Sequence, residues 1–182
     1  MGTGDLTSDL DLLRAVADGD RQAFERLYHR YARRLFGYLL RWLSSPEQVE
    51  EVIDDTMFVV WQQASRFELR SRVSTWIFGI AYRQAMTALR GHREHTDLEQ
   101  VAEPAGLDVD LRRRELRLSL DKALNSLSAD HRTVLELTYF EEFSCREIAD
   151  VVGCSVNTVK TRMFYARRHL RRILPRLGWT RP

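Results

Sequence analysis

The sequence predicts an all-α protein made of two small helical domains, and three observations predict it. Almost every window repeats its apolar residues at intervals of three or four rather than in alternation. Helix-starting caps and helix-ending residues punctuate those windows. Between them lies one acidic stretch, "EHTDLEQVAEPAGLDVD", which contains Pro104 and Gly106 and carries no sustained apolar stripe. The expected division is a first domain over residues 1–95, a linker over 96–111 and a second domain over 112–182 that ends in a helix-turn-helix. A chain of 182 residues with 44% hydrophobic content has the length for two such cores.

The first helix expected is capped by Asp20 and presents Phe24, Leu27, Tyr31, Leu35, Leu39 and Trp42 on one side. Ser45, Pro46 and Gln48 start the next: a cap, a proline in the first turn and a capping-box partner. Its inner face is Val49, Val52, Ile53, Thr56 and Val60. A break follows at "FELRSR", and residues 74–93 read as another helix. After the acidic stretch, helical patterns run over 111–127, 129–142, 146–152 and 156–174.

Across the last two of these runs "SCREIADVVGCSVNTVKTR". Ser144 and Glu147 make a capping box that starts a helix at Cys145. Ile148 and Val152 face inward, Ala149 allows close approach, and Gly153 supplies the left-handed residue that ends the helix. Ser155 caps a second helix with Val159, Met163, Ala166 and Leu170 inward. That order is a helix-turn-helix. Its outer side carries Asn157, Lys160, Thr161, Phe164, Arg167, Arg168 and Arg171. The first of these are of the types that reach base edges, and the later arginines suit phosphates.

Charge distribution supports nucleic acid more than total charge does. The formal net charge is only +2, yet from Asn157 onward the chain holds Lys160 and seven arginines with no acid. The segment from Glu94 to Asp110 has six acids and no Lys or Arg. In the first domain, Glu47, Glu50, Glu51, Asp54 and Asp55 share the outer side of one helix. Glu50 and Asp54, like Glu51 and Asp55, are four apart, so like charges repel there by a few tenths of a kcal/mol per pair. An acidic surface aimed at a basic partner accounts for the pattern; a solvated face is the plainer reading. Further on, Thr75, Trp76, Phe78, Tyr82, Arg83, Gln84, Thr87 and Arg90 interleave rings with polar and basic groups. Such a mixture suits opened or single-stranded nucleic acid, although the rings also fit a core.

Other classes find little support. His29, His92, His95, His131 and His169 are scattered, with no nucleophile–base set, phosphate loop or metal spacing, so neither catalysis, a cofactor nor a metal is expected. Cys145 and Cys154 are too far apart along a helix to bridge, which fits a reducing cytoplasm. The acidic start lacks a signal core, and no run is long and apolar enough for membrane insertion.

Taken in order, these segments resemble the extracytoplasmic-function (ECF) sigma factors, promoter-specificity subunits of bacterial RNA polymerase. "DRQAFERLYHRYARRLFGYL" resembles the family's first helix, and "VEEVIDDTMFVVWQQASRF" the helix that docks on the clamp coiled coil of the polymerase's largest subunit. "STWIFGIAYRQAMTALRGHR" resembles the segment that recognises and melts the −10 element. "LNSLSADHRTVLELTYFEEFSCREIADVVGCSVNTVKTRMFYARRHLRRIL" resembles the domain that binds the −35 element. The resemblance implies polymerase contacts at Glu50, Glu51, Asp54 and Asp55, with Asp54 standing where Gln is more common. It implies −10 contacts at Thr75, Trp76, Arg83, Thr87 and Arg90. For the −35 element it implies Asn157, Thr158, Lys160, Thr161, Arg162, Phe164, Tyr165, Arg167, Arg168 and Arg171. The acidic linker matches the piece that threads toward the RNA exit path. Arg83, Thr87 and Tyr165 depart from the family's commoner Asn, Asp or Asn, and Arg. Expected partners are core polymerase and promoter DNA, with an anti-sigma factor as a further candidate because such partners are common in the family. A DNA-binding regulator outside polymerase is the alternative, but it leaves the acidic helix unexplained.

Overall fold

The computed structural model describes residues 8–43, 45–93 and 111–177, and there is no strand among them. The chain divides into two compact units, Met1–Ala102 with Asp150–Val152, and Glu103–Ala149 with Gly153–Pro182.

The first unit opens with a helix outside the sequence expectation, α1 (Asp9–Ala17), capped where the Ser8 hydroxyl accepts the Asp11 N–H at 3.1 Å. Its Leu12, Leu13 and Val16 are buried. Helix α2 (Arg21–Leu39) begins where one carboxylate oxygen of Asp20 accepts the N–H groups of Gln22 and Ala23. Leu27, Tyr31, Leu35 and Leu39 form its buried stripe, whereas Trp42 lies past its end and is half-buried. Asp9 ties α1 to α2, accepting from Arg30 Nη1 at 2.7 Å and from the Tyr31 hydroxyl at 2.5 Å.

Helix α3 (Pro46–Gln63) starts as the spacing predicts, with Pro46 in its first turn and the Ser45 hydroxyl accepting the Gln48 N–H at 3.3 Å. Val49, Val52, Ile53, Thr56, Met57 and Val60 are buried. Thr56 satisfies its hydroxyl by donating to the Val52 carbonyl at 2.6 Å. A 3₁₀ turn (Ala64–Arg66) and a loop lead into α4 (Val73–Arg93). Ile77, Phe78, Ala81 and Ala85 of α4 complete the core, and α4 packs mainly on α3.

The second unit begins with α5 (Leu111–Asn125), so Leu111 is helical where the linker was expected to end; residues 96–110 of that linker lie outside the described residues. Helix α6 (Ala129–Tyr139) is capped by Ser128 and stops three residues short of its expected end at 142. The backbone turns over there: Glu142 takes a left-handed φ of 57°, and the Phe143 N–H returns to the Leu137 carbonyl at 3.0 Å.

Helix α7 (Cys145–Val152) has the full capping box, with the Ser144 N–H donating to Glu147 at 2.9 Å and the Ser144 hydroxyl accepting the Glu147 N–H. It ends at Gly153 (φ 70°), a left-handed position where a Cβ would be strained. Helix α8 (Val156–Ile173) is capped by Ser155 and continues into a 3₁₀ turn (Leu174–Leu177). Val159, Met163 and Ala166 of α8 are buried, while Leu170 is half-buried. With Val134, Leu137 and Ile148 they make the core of this unit.

Candidate nucleic-acid interface

The α8 surface follows from its own period. With one apolar residue inward every three or four, the residues between them must face out. Asn157, Lys160, Thr161, Phe164, Arg167, Arg168 and Arg171 are all exposed, Phe164 at 61%. A cavity of about 760 Å³ opens between this face and the start of α7, lined by Thr138, Phe143, Cys145, Lys160, Phe164 and Arg168 among others. Its rim is cationic and its floor apolar, a chemistry that holds a polyanion against shape-matched contacts. The Arg167 guanidinium lies over the Tyr139 ring, 5.7 Å from its centroid.

Three residues expected on this face sit differently. Arg162 turns back toward α6, where its Nη2 donates to Asp130 at 2.5 Å. Tyr165, although half exposed, stacks on His131 with ring centroids 6.4 Å apart. Thr158 is half-buried, with its hydroxyl 2.9 Å from the Ser155 capping hydroxyl.

On α4, Arg83, Thr87 and Arg90 are exposed and spaced four and three, so they line one side. The Thr87 hydroxyl donates to the Arg83 carbonyl at 3.0 Å, leaving only acceptor capacity for a partner. Arg90 Nε likewise donates to the Met86 carbonyl at 3.2 Å. Trp76 is half-buried against Phe67, with centroids 5.2 Å apart. Thr75 is 2% exposed, so it belongs to the core and not to this surface. A threonine fits either place, because its methyl packs and its hydroxyl can bond to its own helix.

The third surface is acidic. Glu47, Glu50, Glu51, Asp54 and Asp55 of α3 are all exposed. Glu47 is held below the usual carboxylate range by its own backbone N–H and by the Ser45 hydroxyl. Asp54 accepts a hydrogen bond from the Tyr28 hydroxyl of α2 at 2.8 Å. Tyr28 is pushed up from its ordinary value, first by burial and then by that bond. A cavity of about 330 Å³ between α2 and α3 is bordered by Glu50 and Asp54 and floored by Phe36 and Ile53.

Two features here escaped the sequence reading. Phe58 is 59% exposed beside Asp54 and Asp55, and its signal was an aromatic residue out of phase with the buried stripe of α3. Leu69 is 57% exposed with a left-handed φ of 58° in the loop before α4, which nothing in its residue type announces. Both cysteines are free thiols, and no group of His, Cys, Asp or Glu among the described residues is placed to hold a metal ion. No described helix is long and apolar enough to cross a membrane.

Known proteins share this arrangement. The family described as Sigma-70 region 2 matches residues 27–95, and that described as Sigma-70, region 4 matches residues 117–170. The ECF RNA polymerase sigma factor RpoE of Cereibacter sphaeroides is 34% identical over 92% of this chain and 95% of its own. ECF RNA polymerase sigma factor SigL of Mycobacterium tuberculosis is 31% identical over 91% and 97%. Among solved structures, the sigma factor RpoE in complex with the anti-sigma factor NepR, from Bartonella quintana, superposes with a TM-score of 0.68 at 28% identity, covering 84% of this chain and 96% of that one. CnrH in complex with the cytosolic domain of CnrY shares the fold, with a TM-score of 0.70 at 24% identity over 92% and 97%.

Proposed function

This chain belongs to the ECF sigma factors, which direct RNA polymerase to promoters, and from that premise we propose how its surfaces divide the work. The exposed acids of α3 hold core polymerase. Glu50, Glu51, Asp54 and Asp55 repel one another in the free protein, and a basic partner turns that repulsion into attraction. Phe58 adds apolar area beside them.

Helix α8 anchors the −35 element. Lys160, Thr161 and Phe164 approach base edges in the major groove, where each good bidentate pair discriminates by about 1–3 kcal/mol. Arg167, Arg168 and Arg171 meet phosphates, and neutralising them supplies affinity without sequence preference. On α4, Arg83, Thr87 and Arg90 with Trp76 receive the −10 element as its strands part. Extruding a base costs a few kcal/mol, offset by contacts in the first domain. The first domain then covers residues 1–95, the linker ends before Leu111, where α5 begins, and the −35 domain runs from there to 182. The protein is a non-catalytic specificity subunit without a cofactor, and its free thiols fit the reducing cytoplasm. An anti-sigma factor is a further partner, a reading supported by the related RpoE, which was solved with NepR.

The observation that carries this reading is the separation of charge by element. All of α3's exposed acids lie in one unit, and the acid-free outer face of α8 lies in the other. Transcription in vitro with purified core polymerase, followed by mapping of start sites, tests it. The double variant Glu51→Lys with Asp55→Lys should bind core polymerase at least tenfold more weakly with unchanged helicity, a loss of about 1.4 kcal/mol or more. Normal core affinity in that variant excludes α3 as the polymerase contact.

A further inference from the structure

We propose that Arg162 is a positioning residue: it sets the seat of α8 through Asp130 and does not itself touch promoter DNA. The inference rests on α8 being the promoter-reading helix. It divides that helix's polar residues into readers and struts.

Arg162, Tyr165 and His169 are spaced three and four along α8, so they line one side of it. Each is engaged by the turn between α5 and α6 or by the first turn of α6. Arg162 Nη2 donates to Asp130 at 2.5 Å, and its Nη1 lies 4.0 Å from the Cys154 sulfur. Tyr165 stacks on His131 at an interplanar angle of 29°. His169 Nε2 is 3.0 Å from the Ser126 hydroxyl, which itself donates to the Ala123 carbonyl at 2.6 Å. Because that hydroxyl proton is committed, Nε2 carries the proton and donates to the serine oxygen. The three contacts form a polar seam beside the apolar stripe of Val159, Met163 and Ala166.

Geometry separates this seam from the reading face. At about 100° per residue, Arg162 points roughly 160° around the helix from Phe164. Its side chain is 25% exposed, whereas Phe164 is 61% exposed. Electrostatics points the same way. Asp130 lies in the first turn of α6, where the helix dipole favours a carboxylate, so Arg162 has a stable anion already in place. Bringing the seam to DNA would also bring Asp130 toward phosphates of its own sign.

A strut here fixes the tilt of the first two turns of α8, from which Lys160, Thr161 and Phe164 project. Losing it misplaces every reader together, and it removes no phosphate contact and no base contact.

The test uses the full chain with purified core polymerase, transcribing a promoter library randomised across the upstream element at several salt concentrations. Arg162→Gln and Asp130→Asn should each lower transcription about two- to fivefold, the range of an exposed ion pair. Their combination should be no worse than either alone, and the exchange Arg162→Asp with Asp130→Arg should recover most of the loss. Preferred bases and the salt slope should stay those of the unsubstituted protein, while Arg168→Gln should flatten the slope by about one unit. A flattened slope or altered base preference for Arg162→Gln, with Asp130→Asn as active as the parent, overturns the proposal. So does a loss that merely tracks the folded fraction in thermal melts. If Lys160→Gln and Arg168→Gln also change nothing, the assignment of α8 as the reading helix fails instead.

Discussion

At the residue scale, Asp9 shows how one carboxylate organises a small core. It accepts from both Arg30 and the Tyr31 hydroxyl, and Tyr31 is fully buried. Burial first, and then the bond to Asp9, push the Tyr31 hydroxyl far above its ordinary value of 10.0. The folded chain therefore holds that proton more tightly than the unfolded chain. The contribution is fully present below about pH 10 and is lost as the pH climbs from there toward the folded value. Tyr31→Phe should cost about 1 kcal/mol at pH 8, the usual worth of such a hydrogen bond. It should also fall off less steeply with alkali, because the phenylalanine has no proton to lose. Urea denaturation of both proteins at pH 8 and about 10.5 measures both effects; equal alkaline slopes would remove Tyr31 from the linkage. The same logic reaches the exposed side of α4. With its proton committed to the Arg83 carbonyl, Thr87 offers any partner an acceptor and a methyl group.

At the element scale, the turn between α6 and α7 carries a removable strain. Glu142 sits at φ 57° on the surface, a region that costs a non-glycine residue on the order of 1 kcal/mol. Glu142→Gly should raise stability by about 0.5 kcal/mol at most, once the entropy that glycine adds to the unfolded chain is set against the relieved strain. The midpoint of urea unfolding should move up with no change in slope; a lower midpoint would show that the Glu142 side chain contributes more than its backbone costs. This turn also shows where a sequence stops being legible. The apolar period carried the helical pattern through residue 142, but the chain leaves the helix after Tyr139, because nothing in the period encodes a backbone reversal. Caps are read more securely, since Ser45, Ser144 and Ser155 each hold the N–H their spacing predicts. Helix α1 is hard to read from sequence because nine residues make only about two and a half turns, and its acids read equally well as a solvated tail. For the site, the period identified which side of α8 faces out. It did not reveal that Arg162 and Thr75 lie where a polar side chain has a protein partner or a buried place available. Those outcomes depend on residues far away in sequence, such as Asp130 for Arg162.

At the scale of the whole molecule, a net charge of +2 is too small to draw the protein to a polyanion, so its placing of charge must do so. The exposed acids of α3 lie in one unit and the cations of α8 in the other. Because one chain carries both, a partner engaged by either unit raises the effective concentration of the other unit near it, and neither contact need be tight alone. That division is testable by damaging one core at a time. Leu35 of α2 and Leu137 of α6 are each 0% exposed, so Leu→Ala at either should cost about 2–5 kcal/mol. Against the roughly 5–15 kcal/mol that holds an ordinary domain, such a loss weakens one unit severely. Leu137→Ala should then diminish dependence on the upstream element while leaving affinity for core polymerase close to normal. Leu35→Ala should do the reverse, weakening polymerase binding while the protein still retains upstream duplex DNA. Polymerase pull-down and duplex binding, measured in parallel below and above each variant's unfolding temperature, separate the two. If both variants lose both activities together, the units fold as one cooperative body, and the promoter and polymerase contacts are not carried by independent cores.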